Sequence, residues 1–154
     1  MCRAIAVTIM YDHIVLPTDG SPEMDAVVDH AGELARAHNA TVHVLYVVDS
    51  GAFTGLPAET SFDRLERMLN DEGERALSAT VDRLSPDVTV EQELLEGSPA
   101  AEIVDFATDQ GDVVVMGTHG RGGLNRLLLG SVAERVVRRC PKPVLTVRVA
   151  EREE

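Results

Sequence analysis

From His13 to Val149 the chain alternates five short, largely β-branched runs with longer stretches of helical spacing, and this rhythm constrains its fold more tightly than any single residue. The runs are His13 to Leu16, Thr41 to Val48 (TVHVLYVV), Val88 to Leu95, Asp112 to Met116 (DVVVM) and Pro143 to Val149 (PVLTVRV). The first helical stretch opens at Ser21-Pro22, an N-cap followed by proline at the first helical position. It carries Met24, Val27, Val28, Ala31, Leu34 and Ala35 as one stripe and ends near His38-Asn39. After a Gly-, Pro- and Ser-containing loop from Asp49 to Thr60, the second stretch runs from Ser61 to Leu84. Phe62, Leu65, Leu69, Ala76, Leu77, Val81 and Leu84 are expected to face inward, and Pro86 closes it. Gly97-Ser98-Pro99 repeats the cap-and-proline start for a helix carrying Ile103, Val104 and Ala107. The last helix opens at Ser131, has Val132, Ala133, Val136 and Val137 at helical spacing and stops before Pro141; Ser131 and Glu134 have the S-x-x-E spacing of a capping box.

Five such units predict an α/β fold: one doubly wound five-stranded parallel sheet with helices on both faces, Rossmann-like in kind. The 154 residues fit one domain, large enough to bury roughly two thirds of its unfolded surface. Strand pattern sets the order. The second and fourth runs are almost wholly apolar, as strands covered on both faces are, whereas the third alternates (Val88 and Val90 against Thr89 and Glu91), as does the fifth. Edges therefore fall on strands three and five, which favours 3-2-1-4-5 over 2-1-3-4-5. In that order the winding reverses between strands one and four, and ligands bind at strand carboxyl ends beside such a reversal.

Two loops meet there. One is Pro17-Thr18-Asp19-Gly20-Ser21. The other, Gly117 to Ser131 (GTHGRGGLNRLLLGS), joins a strand end to a helix start with glycines at 117, 120, 122, 123 and 130. A helix start offers unpaired N–H groups and the positive end of its dipole to an anion, and glycines let main chain approach it closely. The composition is that of a phosphate-binding loop, and it is equally that of a merely flexible one. Arg121 and Arg126 are placed either to pair with phosphate oxygens or to be solvated charges. Glu134 would repel phosphates unless its own capping contact, or a magnesium ion bridging the phosphates, absorbs its charge.

Charge narrows the classes further. Asp and Glu number 26 against 14 Lys and Arg, a net charge of −12, which repels a nucleic-acid backbone. Acid excess with a single lysine suits a halophilic protein. That lysine, Lys142, lies between Cys140-Pro141 and Pro143, so the G-K-[ST] end of a P-loop is excluded. No apolar run approaches a bilayer span, and residues 1–9 lack the apolar core and cleavage site of a signal peptide, so the expectation is a cytoplasmic protein without membrane contact. Residues 1–9 read as a disordered leader and residues 151–154 as a frayed acidic tail. Cys2 and Cys140 share no metal or redox spacing, and Cys140 reads as a buried apolar side chain. His13, His30, His38 and His43 also share no spacing and read as surface or satisfied side chains.

PTDGS after strand one, VVD ending strand two, Gly97-Ser98-Pro99, Pro141-Lys142-Pro143-Val144, and above all Gly117, Gly120, Gly130 and Ser131 in the spacing G-2x-G-9x-G-S resemble the universal stress protein family from Tyr11 to Arg148. That glycine spacing marks the family's ATP-binding branch. The resemblance implies a universal stress protein domain over residues 10–150, with the adenine nucleotide alpha hydrolase-like form of the Rossmann-like fold, and an ATP site. Pro17, Thr18 and Asp19 would flank the nucleoside and the main chain of Val47 would meet the adenine edge. Gly117, with Met116 behind it, would lie against the ribose; Thr118, His119, Gly120, Arg121, Gly122 and Gly123 would follow the phosphates; Gly130, Ser131 and Val132 would offer backbone N–H groups and a hydroxyl. It also implies a homodimer through strand five, Val144 to Val149.

The reading that follows is a nucleotide-dependent stress-response module, binding ATP (or AMP or ADP) with Mg2+ on the phosphates and answering to an unidentified protein partner. No catalytic set is evident, since no base is paired with a water-positioning group. The alternative is a slow ATP hydrolase or AMP-forming enzyme using Asp19 and His119. TDGSPEMD is not the S-G-G-x-D-S loop of adenylating enzymes, and Glu96-Gly97 ending strand three does not suit a phosphorylated receiver domain.

Overall fold

The computed structural model describes residues 9–57, 61–119 and 129–149. Strands β1 (His13–Pro17), β2 (Thr41–Asp49), β3 (Thr89–Gly97), β4 (Val113–Gly117) and β5 (Val144–Val147) form one sheet in the order β3-β2-β1-β4-β5, with every neighbouring pair parallel. Helices α1 (Asp25–His38), α2 (Phe62–Arg83), α3 (Pro99–Gln110) and α4 (Ser131–Arg139) cover it. The expected fold class and strand order are both present.

Period-two alternation along the strands divides the core. Ile14, Leu16, Val42, Val44, Val113 and Val115 meet Val27, Ala31, Leu77 and Leu84 of α1 and α2 on one face. Val15, Leu45, Val114 and Met116 meet Ile103, Phe106, Ala133 and Val136 of α3 and α4 on the other. Because both faces are covered, all five residues of β4 are buried, and fully burying one such side chain contributes about 1.5–3 kcal/mol. The edge strand β3 is instead exposed or half-buried along its length. Cys140 is a half-buried free thiol packed against the α3 and α4 side of the core.

Several local expectations change. Pro22 and Pro99 do sit at the first helical positions, but neither Ser21 nor Ser98 caps with its hydroxyl. Pro22–Met24 forms a 3-10 turn before α1 begins at Asp25. Proline's fixed φ starts these helices without the serine side chain. The capping box at Ser131 does not form: the N-cap is Gly130, and Ser131 is already helical. The N–H of Glu134 donates to Gly130 O at 2.9 Å, while its carboxylate accepts from Arg138 Nη2 at 2.6 Å.

Phe62 is 53% exposed, against expectation. Gly73 lies level with Tyr46 and Leu94, where a Cβ would come within 2.8 Å and 2.6 Å of their side chains. Before that point about 16 Å of helix outruns about 10 Å of strand, so the first turns of α2 stand past the sheet. Val137 is also exposed, at 45%, because the nine-residue α4 buries only Ala133 and Val136. Residues 1–8, 58–60 and 150–154, which include nearly all of the expected leader and the whole tail, lie outside the described residues.

Candidate functional site

The helix after β1 packs on one face and the helix after β4 on the other, while β1 and β4 are neighbours paired Ile14 to Val113 and Val15 to Val114. The winding therefore reverses between them, and the two loops singled out above leave their carboxyl ends side by side.

The loop after β1 is held by a directed chain of hydrogen bonds. Thr18 N–H donates to Leu45 O at 2.9 Å, tying the loop to β2. Gly20 N–H donates to Thr18 Oγ1 at 3.0 Å, Thr18 and Thr80 hydroxyls lie 2.9 Å apart, and Thr80 Oγ1 donates to Ala76 O at 2.9 Å. Since Thr80 spends its one proton on Ala76, Thr18 must be the donor between the hydroxyls. The polarity runs from Gly20 through Thr18 and Thr80 into α2, and both threonines are buried. Asp19 folds over the loop, its Oδ1 accepting from Ser21 N–H at 2.8 Å. Gly20 has φ +74°, and a Cβ there would lie 2.5 Å from Ala76 Cβ, so the loop rests directly on α2.

The loop after β4 starts from a crowded base. A Cβ on Gly117 would come within 2.9 Å of Val149 Cγ2 and 3.4 Å of Val27 Cγ2. Thr118 then forms a neck: its N–H donates to Val147 O at 3.0 Å, and its carbonyl accepts from Gly130 N–H at 2.7 Å. Thr118 Oγ1 also lies 3.1 Å from His119 Nδ1 and 3.4 Å from Val149 N. The neck brings the two ends of the glycine-rich segment together and sets the start of α4 beside the end of β4. No side chain caps α4. The N–H groups of its first turn thus lie beside the strand ends, and the acid in that turn, Glu134, pairs with Arg138.

Val47 belongs to β2, paired with Leu95 of β3. Leu45 O points towards β1, where it receives Thr18, so the main chain of Val47, two residues on, points the same way past the end of β1. Met116 is 5% exposed and packs beneath the neck in the α3 and α4 core. Pro17, Thr18, Asp19, Val47, Met116, Gly117, Thr118, His119, Gly130, Ser131 and Val132 thus gather at the carboxyl ends of β2, β1 and β4. Gly120, Arg121, Gly122, Gly123 and Arg126 lie outside the described residues.

The model of the universal stress protein family matches residues 10–148. A universal stress protein of Methanocaldococcus jannaschii is 44% identical over 147 residues, covering 94% of this chain and 86% of its own. The chain belongs to the universal stress protein family. A second universal stress protein of that archaeon is 30% identical, and its solved structure superposes with a TM-score of 0.81 over 93% of this chain and 99% of the other. A universal stress protein crystallised in complex with cAMP superposes at TM-score 0.69, with 26% identity over 92% of this chain and 100% of that one. One from Archaeoglobus fulgidus in complex with dAMP does so at 0.60, with 25% identity over 90% and 98%.

In this universal stress protein, sequence reading missed Thr80 altogether, and missed that Ala76, expected only to face inward, seats the β1 loop with it. Their signal was an alanine and a threonine four apart on the buried stripe of α2. It also missed that His43 is buried against His13. Among the described residues no three His, Cys, Asp or Glu side chains are grouped to hold a metal, and no helix is long and apolar enough to cross a membrane.

Proposed function

We propose that this universal stress protein binds ATP at the β1, β2 and β4 strand ends and acts as a nucleotide-dependent regulatory module with little or no hydrolysis. The observation that carries this reading is the neck between Thr118 and Gly130, which closes a glycine-rich segment directly onto the uncapped start of α4. That arrangement fits a polyphosphate: the first helical turn offers N–H groups and the positive end of the helix dipole, Ser131 would add a hydroxyl, and the acid in that turn, Glu134, is paired with Arg138. The main chain of Val47 would receive the adenine edge, Pro17 to Asp19 would flank the nucleoside, and Gly117 would meet the ribose. Thr118, His119 and the segment from Gly120 to Gly123 would follow the phosphates, with Mg2+ bridging phosphate oxygens rather than held by a protein cage. Relatives crystallised with cAMP and dAMP support an adenine nucleotide as the ligand class.

The decisive experiment is to denature freshly purified protein, identify the released nucleotide by mass, and follow added ATP for phosphate release. Retained ATP with negligible turnover is expected. Rapid formation of ADP or AMP would instead make the protein an enzyme, and absence of any nucleotide would count against the site. Gly130→Asp puts a carboxylate at the neck beside the phosphate position. ATP affinity should fall by roughly a hundredfold, about 2.7 kcal/mol, with circular dichroism unchanged; wild-type affinity in that variant would refute the loop assignment.

The dimer belongs to the same reading. β5 is an edge strand with Leu145 37% exposed, apolar surface suited to a second copy.

A further inference from the structure

At the other end of the sheet, remote from the proposed nucleotide site, β1 and β2 bring two imidazoles together. The register that sets His13 opposite Thr41 points His13 and His43 to the face covered by α3. His13 Nδ1 and His43 Nε2 lie 3.0 Å apart, with ring centroids at 5.2 Å, and Phe106 of α3 packs 5.5 Å from the His43 ring. His13 is exposed and His43 is 3% exposed. His43 Nδ1 is the buried side-chain polar atom that lacks a hydrogen-bond partner among the described residues. Glu91 Oε2 stands 3.3 Å away, at ion-pair distance but out of line for a hydrogen bond.

Electrostatics favours one placement of the protons. A bare Nδ1 on His43 would set its lone pair against the Glu91 carboxylate, so the proton belongs on Nδ1, and Nε2 accepts from His13 Nδ1–H. A further proton on His43 Nε2 would set two N–H donors against each other at 3.0 Å.

We infer that His13 and His43 form an acid-sensitive joint between the first residues of β1 and β2, closed while one proton lies between the facing nitrogens and opened when a second enters. The groups that bear on it are His13 from β1 and Glu91 and Glu93 from β3. From α3 comes Phe106, with Asp105 and Asp109 exposed on the same helix, while Asp112, before β4, already accepts from the N–H groups of Asp12 and His13 at 2.9 Å each. Burial pushes His43 below the ordinary histidine range; Glu91 and Glu93 oppose this and His13 adds to it. A histidine depressed on folding contributes stability that is complete above its unfolded pKa of about 6.5 and is lost as pH falls through that range.

The test is an NMR titration of the imidazole ring protons of the full chain, with thermal unfolding at about pH 7.5 and pH 5.0. Both substitutions fall on exposed side chains. His13→Gln removes the competing cation and should raise the His43 midpoint. It should also reduce the acid loss of Tm relative to wild type by roughly 2–4 °C. Glu91→Gln removes the attracting carboxylate and should lower the midpoint. An unmoved midpoint in either variant, movement in the same direction in both, or equal acid loss of Tm in wild type and His13→Gln overturns the inference.

Discussion

Thr18 satisfies the loop after β1 with one hydroxyl that accepts from Gly20 and donates to Thr80. Thr80→Val keeps the shape of the side chain and removes the acceptor, leaving a buried Thr18 O–H without a partner. An orphaned buried hydroxyl costs about 1–3 kcal/mol, so Tm should fall by several degrees, read by calorimetry, while Thr80→Ser should restore most of the loss. If the β1 loop helps hold the nucleoside, ATP affinity should fall in the valine variant and recover in the serine one. A valine variant as stable as wild type would mean that Thr80 does not anchor Thr18. This bond joins residues 62 positions apart, which is why sequence alone did not disclose it: helical spacing put Ala76 on the inward stripe, left Thr80 out of it, and could not say which loop the stripe met. Asp19, by contrast, closes a turn within two residues, a contact that an Asp followed by Gly-Ser makes locally.

Among the elements, strand order was legible and helix ends were not. β4 reads as unbroken apolar residues because both of its faces are covered, and β3 alternates because it is an edge; those two patterns decided the order. Phe62 and Val137 fit helical stripes, yet both are exposed, since periodicity says which face is apolar and not how far a neighbour extends beneath it. Neither the neck between Thr118 and Gly130 nor the pairing of Glu134 with Arg138 instead of a cap was read from the sequence. β5 carries its own test. Thr146→Pro places a residue without an N–H in the short edge strand, and size-exclusion chromatography should then report a monomer. A variant that still elutes as a dimer would remove β5 as the interface.

For the whole molecule the governing quantity is its net charge of −12 over 154 residues. Self-repulsion at that density opposes the compact state, and salt screens it. Raising KCl from about 0.1 M to about 2 M should increase Tm, with the gain concentrated at low concentrations if screening is the cause; a Tm independent of salt would remove the halophilic reading. The negative charge is also unevenly placed. Glu91, Glu93 and Glu96 line β3, while β5 reads Val-Leu-Thr-Val. Two copies joining along β3 would bring like charges into register, a penalty that β5 does not carry. If β5 is the edge where copies pair, the sheet has one apolar border and one repellent border, so copies that meet edge to edge would close into a pair and not propagate into a fibre.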